Sequence, residues 1–196
     1  MSWAGVGQIT GGTMDQKDLA FHYVCTREQA RELINGRDRF WVMNCGCRES
    51  RGQCSRSRID VCLMFRGDIA GSGDTSTKEI SPAEVEDIFK EAEKKHLVTR
   101  PFRNESHIAE TDGICFCCDD CCGYFLDPSE ICDRGSLVET TDSDKCTNCG
   151  TCVDICYFGA RRLNGDQLAI DKDNCYGCGL CIDACPEGSV EMTLRT

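Results

Sequence analysis

One cysteine spacing occurs twice in the chain. Cys146, Cys149, Cys152 and Cys156 follow C-x2-C-x2-C-x3-C in CTNCGTCVDICYFGA, and Cys175, Cys178, Cys181 and Cys185 repeat it in CYGCGLCIDACPEGS, with Pro186 after the last cysteine. Three cysteines so spaced in a tight loop can wrap one metal centre, and the fourth lies a helical turn further on. Eight residues at matching offsets leave little room for coincidence, yet they are fewer than half of the 19 cysteines in 196 residues.

Cysteine at this density has two explanations: the disulfide scaffold of a secreted protein, or metal binding in a reducing compartment. The N-terminal MSWAGVGQITGGTMDQKDLAF has no basic segment followed by an apolar run. No stretch approaches the roughly 18–20 apolar residues of a membrane span. An odd cysteine count also leaves one thiol unpaired. The expectation is a cytoplasmic metalloprotein.

The net charge of −11 is uneven: residues 26–66 hold nine arginines against five acidic residues, whereas the stretches on either side are acidic in balance. Acidic surroundings argue against nucleic acid as a main partner. The arginines read as a solvated face, or else as a docking patch or positive charge beside an anionic cluster.

The doubled spacing resembles that of dicluster bacterial ferredoxins. The resemblance implies two [4Fe–4S] clusters with crossed ligation, one on Cys146, Cys149, Cys152 and Cys185, the other on Cys156, Cys175, Cys178 and Cys181. SLVETT before the first copy and SVEMTL after the second read as strands, and Asn164-Gly165 between them is a hairpin signal. Together they predict a βαββαβ module over residues 137–196. Gly150, Gly177 and Gly179 suit loops where backbone passes close to a cluster, and their N–H groups are expected to be available to bond sulfur. Tyr157 stands where the family has proline; it reads as a packing residue, with shielding of a cluster as the alternative. A pair of zinc sites is the competing reading of the whole region.

Upstream, Thr26-Arg27-Glu28-Gln29 has capping-box form and opens a short helix stopped at Asn35-Gly36. RFWVM reads as a strand. Ser81-Pro82-Ala83-Glu84 opens a second helix with Val85, Ile88, Phe89 and Ala92 on one face. GSGDTST reads as a surface loop and lacks the phosphate-binding lysine pattern. The remaining cysteines fall on loops in this reading. Nine of them cluster: Cys45, Cys47, Cys54 and Cys62, then Cys115, Cys117, Cys118, Cys121 and Cys122 in ICFCCDDCC. A third [4Fe–4S] cluster is expected from among Cys45, Cys47, Cys54, Cys62, Cys117, Cys118, Cys121 and Cys122, with zinc as the alternative. Neighbours such as Cys117 and Cys118 diverge, so not all serve one site. Asp119 and Asp120 read as turn residues, His107 as the best non-cysteine ligand candidate, and Cys25 and Cys132 as buried free thiols.

The expected organisation is α+β: a flexible arm over 1–20, in which Met14 offers an alternative start, a small cysteine-rich domain over 21–136 and the ferredoxin module over 137–196. CGCR, DVCL and ICFCC ahead of that module resemble a group of anaerobic iron–sulfur proteins, among them the iron–sulfur subunit beside the tungsten subunit of the benzoyl-CoA reductase complex. That resemblance implies an electron-transfer subunit, not an enzyme by itself, serving a larger oxidoreductase subunit and a second electron carrier. A small disulfide or thiol reductase with an N-terminal catalytic cluster, and a redox or metal sensor with N-terminal zinc, are the alternatives.

Overall fold

The computed structural model describes residues 19–67, 77–127 and 129–196. The expected N-terminal arm, apart from its last two residues, and the GSGDTST loop, apart from Thr77, lie outside the described residues.

Two capped helices start where the sequence signals them. In α1 (Arg27–Ile34) the Gln29 N–H donates to Thr26 Oγ1 at 3.2 Å and the Thr26 N–H donates to Gln29 Oε1 at 3.1 Å. In α3 (Pro82–Lys94) Ser81 and Glu84 form the same reciprocal pair, with Pro82 pre-set in the first turn. Between and after them lie β1 (Phe40–Met43), α2 (Gly46–Arg51), β2 (Cys62–Met64), β3 (Lys78–Ile80), β4 (Val98–Arg103) and β5 (Thr111–Cys117). The strands form one antiparallel sheet in the order β3-β1-β2-β5-β4. Phe40, Val42, Leu63, Ile80, Ile114 and Phe116 pack with Val85, Ile88, Phe89 and Ala92 of α3 to form the main core. Phe89 is fully buried, its ring edge-on to Phe116 at 5.4 Å.

The expectation that the N-terminal cysteines lie on loops fails for four of them. Cys47 is in α2, Cys62 is in β2, and Cys115 and Cys117 are in β5. The stretch Ile114-Cys115-Phe116-Cys117 alternates with period two, so the apolar pair enters the core while the thiols take the opposite face. High cysteine density hides that alternation from a hydrophobicity reading.

β4 is an edge strand, which accommodates Pro101. Residues 21–25 run along its outer side: the Tyr23 N–H donates to the Pro101 carbonyl at 3.1 Å and the Cys25 N–H to that of Thr99 at 3.2 Å. The same segment grips the connecting chain on its other side, with Val24 N–H to the Asp133 carbonyl at 3.0 Å and Asp133 N–H to that of His22 at 2.9 Å. Gly135 then bonds the Tyr176 carbonyl at 3.0 Å, where an added Cβ would lie 2.6 Å from the Val24 carbonyl oxygen. Only glycine permits that approach.

The last third reads strand, helix, hairpin, helix, strand: β6 (Leu137–Thr141), α5 (Thr151–Asp154), β7 (Arg161–Asn164), β8 (Gln167–Ile170), α6 (Leu180–Ala184) and β9 (Val190–Leu194). β6 and β9 pair antiparallel from Leu137↔Leu194 to Thr141↔Val190. The hairpin turn is displaced one residue from the expected Asn164-Gly165. Asn164 pairs with Gln167, leaving Gly165 and Asp166 as the loop, because the first loop residue needs the positive φ (61°) that glycine adopts freely. The short α4 (Gly123–Leu126) presents Tyr124 and Phe125 to this module.

Phe89→Ala removes the ring that supports the thiol-bearing strand from behind. It is expected to cost about 3–5 kcal/mol, read as a lowered denaturant midpoint of the anaerobically purified protein; an unchanged midpoint would contradict this account of the core.

Candidate metal centres

The eight cysteines of the doubled spacing line two cavities. Cys146, Cys149, Cys152 and Cys185 surround one with Gly150, Ser189 and Val190. Cys156, Cys175, Cys178 and Cys181 surround the other with Ile155, Phe158, Tyr176 and Leu180. Each cavity thus takes three cysteines from one copy and the last from the other. The turns that bring this about depend on Gly150 and Gly179, at φ 82° and 77°, immediately before α5 and α6. The Ser189 N–H donates to Cys185 Sγ at 3.3 Å, a contact of the kind that raises the potential of a bound cluster.

Arg161 borders both cavities. It is 3% exposed, donates to Cys152 Sγ at 3.2 Å and to Thr141 Oγ1 at 2.9 Å, and pairs with the equally buried Glu139. A buried ion pair stands or falls as a unit: removing one partner strands the other in a low dielectric.

In the N-terminal half the nine clustered cysteines separate into six and three. Cys62 and Cys115 face each other across β2 and β5 with Sγ atoms 3.4 Å apart. From there each thiol acts electrostatically on the next: Cys115 on Cys117, Cys117 on Cys122, Cys122 on Cys47, Cys47 on Cys45, and Cys45 on Cys62. The six thiols thus form one electrostatically linked group, the six-thiol ring. Bonds from Cys122 and Cys45, aided by the Gly123 N–H at 3.5 Å, hold the Cys47 thiol far below its ordinary range, and the ring contacts push Cys122 far above it. The other group is Cys54, Cys118 and Cys121, with Sγ separations of 3.6 Å for Cys54–Cys118 and 3.4 Å for Cys118–Cys121. The two adjacent pairs split between the groups: Cys117 and Cys122 join the ring, and Cys118 and Cys121 join the trio. The thiols from among which a third cluster is expected, Cys45, Cys47, Cys54, Cys62, Cys117, Cys118, Cys121 and Cys122, therefore fall into two groups, and the larger group also includes Cys115.

Each group abuts a buried guanidinium. Arg100, on β4 opposite Cys115, is 3% exposed and donates to Cys122 Sγ at 3.1 Å and Cys117 Sγ at 3.8 Å. Arg48, 1% exposed, donates to the Arg58 and Phe116 carbonyls at 2.7 and 3.1 Å and reaches Cys118 Sγ at 4.0 Å. Neither has a carboxylate partner among the described residues, and the Nε of each lacks any hydrogen bond. A buried cation without a counter-charge is costly. Thiolates binding a metal or an iron–sulfur cluster supply that charge, so the residues present fit an anionic metal centre.

His22 is the histidine beside the thiols: its Nε2 lies 3.9 Å from Cys115 Sγ. Burial, then Arg100, lowers its pKa to about 3, so the ring is neutral. His107 is exposed in the β4–β5 connection, where its N–H bonds Asn104 Oδ1 at 2.8 Å. Cys25 is buried, as expected, while Cys132 is half-buried with its Sγ against the Asp133 carbonyl at 3.7 Å.

Aromatic rings fill the space between the six-thiol ring and the second cavity. Arg100 lies over Tyr124 at 4.7 Å, Tyr124 meets Tyr176 at 6.0 Å, and Phe158 stacks on Tyr176 at 4.4 Å. Phe125 touches Phe158 at 5.2 Å and Tyr157 at 5.9 Å. Tyr157 is thus a packing residue of this wall, with Arg56 over its ring at 5.0 Å. Phe158 and Tyr176 also line the cavity of Cys175 and Cys178.

Residues 145–189 match the 4Fe-4S dicluster domain, a ferredoxin-type domain that takes in all eight cysteines of the doubled spacing. The match does not extend to the N-terminal sheet, and no curated protein matches the chain. No helix among the described residues is long and apolar enough to cross a membrane.

Arg161→Met is expected to destabilise the protein by about 3–5 kcal/mol, and the double variant Glu139→Gln/Arg161→Met to recover part of that loss. Denaturant midpoints of the three proteins measure it; additive single effects would show that the pair is not coupled.

Proposed function

We propose that this chain is an iron–sulfur electron-transfer protein, working as a subunit between a larger oxidoreductase subunit and a second electron carrier. In this reading Cys146, Cys149, Cys152 and Cys185 hold one [4Fe–4S] cluster and Cys156, Cys175, Cys178 and Cys181 a second. The six-thiol ring of Cys45, Cys47, Cys62, Cys115, Cys117 and Cys122 supplies the ligands of a third. Bound clusters supply one-electron chemistry.

The observation that carries the proposal is the sharing of each cavity between the two cysteine copies, continued by the aromatic wall to the six-thiol ring. The protein's own residues then have distinct tasks. Arg161, Arg100 and the Ser189 N–H stabilise negative charge on the thiolates. Tyr124, Phe125, Phe158 and Tyr176 exclude water from the space between the N-terminal centre and the second cavity, so that an electron passing between them does not reorganise bulk solvent there. A larger partner is supported by the charge division between the arginine-bearing N-terminal segment and the acidic remainder. The likeness of CGCR, DVCL and ICFCC to an anaerobic iron–sulfur subunit is the sole support for a tungsten-containing partner.

Crossed ligation is tested by comparing variants by electron paramagnetic resonance. Cys185→Ala is expected to share the altered spectrum of Cys149→Ala and to differ from Cys178→Ala; the opposite grouping would refute the assignment. The third centre is tested by iron analysis of the full-length protein after anaerobic reconstitution. About twelve irons per chain are expected, falling to about eight in Cys62→Ala/Cys115→Ala; eight in both proteins would rule out an N-terminal cluster.

A further inference from the structure

The three thiols outside the ring differ in geometry from all the others. Cys54, Cys118 and Cys121 alone, among the described residues, have three Sγ atoms all within 4.8 Å of one another. A tetrahedral ion with metal–sulfur bonds of about 2.3 Å sets its sulfurs about 3.8 Å apart. The observed 3.6 and 3.4 Å sit close to that edge. A four-iron cube carries its thiolates on separate irons and spreads them more widely. The two ferredoxin-type cavities have no three sulfurs within 4.8 Å of one another, so the molecule itself contains both arrangements for comparison.

The surroundings of the trio are built. Cys118 and Cys121 leave the tight turn after β5 with the spacing C-x-x-C, common in thiolate sites for a single ion. Cys54 comes from the loop after α2, and that loop is held to the turn at two further points. The Ser55 N–H donates to Asp120 Oδ2 at 2.8 Å, and Arg56 grips both carboxylate oxygens of Asp119 at 2.6 and 2.9 Å. Beneath lies Arg48 with its unpartnered Nε. The charges close: three thiolates and one divalent ion carry −1, and Arg48 supplies +1. Six thiols in the neighbouring ring do not enter this account, since no three of them lie within the same mutual distance.

We propose that Cys54, Cys118 and Cys121 form a mononuclear zinc site, separate from the six-thiol ring, with water completing the fourth position at the exposed Ser55–Asp120 edge. Each thiol loses its proton to solvent as the ion binds. The site joins the loop after α2 to the turn after β5, and so sets the position of Arg56 against Tyr157 of the ferredoxin-type domain. It does not depend on the electron-transfer reading.

The test uses the full-length protein isolated without oxygen and analysed for zinc and iron together. About one zinc per chain is expected beside the iron. Cys54→Ser, a substitution at a half-buried loop position, should lose the zinc and keep the iron, whereas Cys62→Ser should lose iron and keep the zinc. Titration with Co2+ alone should give the absorption of a tetrahedral thiolate site in the parent protein and not in Cys54→Ser. Loss of iron in place of zinc from Cys54→Ser would assign the trio to a cluster and overturn the proposal. So would a parent protein with neither zinc nor a Co2+ thiolate spectrum. Zinc retained in a protein that binds no iron would remove the electron-transfer reading and support this site.

Discussion

Sulfur concentrated inside a small protein is a problem of charge, and three buried arginines answer it. Arg161 stands between the two cavities of the ferredoxin-type domain, Arg100 against the six-thiol ring, and Arg48 beneath the trio. Thiolates cannot be packed together in a low dielectric without compensation, and a guanidinium cannot be buried without an anion. Each need meets the other. Arg161 differs from its counterparts in having the Glu139 carboxylate as well, although Glu139 Oε1 is left without a hydrogen-bond partner, whereas Arg48 and Arg100 have no carboxylate among the described residues and keep an unpartnered Nε.

This arrangement rests on a sheet with two unlike faces. Along β5, Ile114 and Phe116 enter the hydrophobic core against α3 while Cys115 and Cys117 point the other way, and Arg100 on β4 meets Cys115 in register. A rigid, well-packed strand therefore holds ligand candidates that a loop would leave mobile. The turn after β5 completes the set. Adjacent cysteines there diverge, so Cys117 and Cys122 close one group while Cys118 and Cys121 join Cys54 in another.

The junction between the two halves is aromatic. Tyr124 and Phe125 from α4 pack with Tyr157, Phe158 and Tyr176, so the N-terminal thiols and the second cavity share one continuous buried cluster. The backbone ties made by residues 21–25 and by Gly135, together with the Arg27–Asp183 ion pair, secure that junction.

The sequence by itself determined whatever depends on residues close along the chain. The doubled spacing marks a ferredoxin-type domain, the capping boxes place α1 and α3, and the strand signals at SLVETT and SVEMTL hold, because loop wrapping, helix capping and strand alternation act over a few residues. Even the hairpin was legible to within one position, the difference being set by which residue must take positive φ. Only the tertiary structure decided how the nine N-terminal cysteines divide, that His22 and not His107 stands beside them, and that Arg48 and Arg100 are buried with the thiols. Those facts follow from strand register and from contacts between segments more than fifty residues apart. A run as sulfur-rich as ICFCCDDCC offers so many local pairings that spacing alone selects none of them.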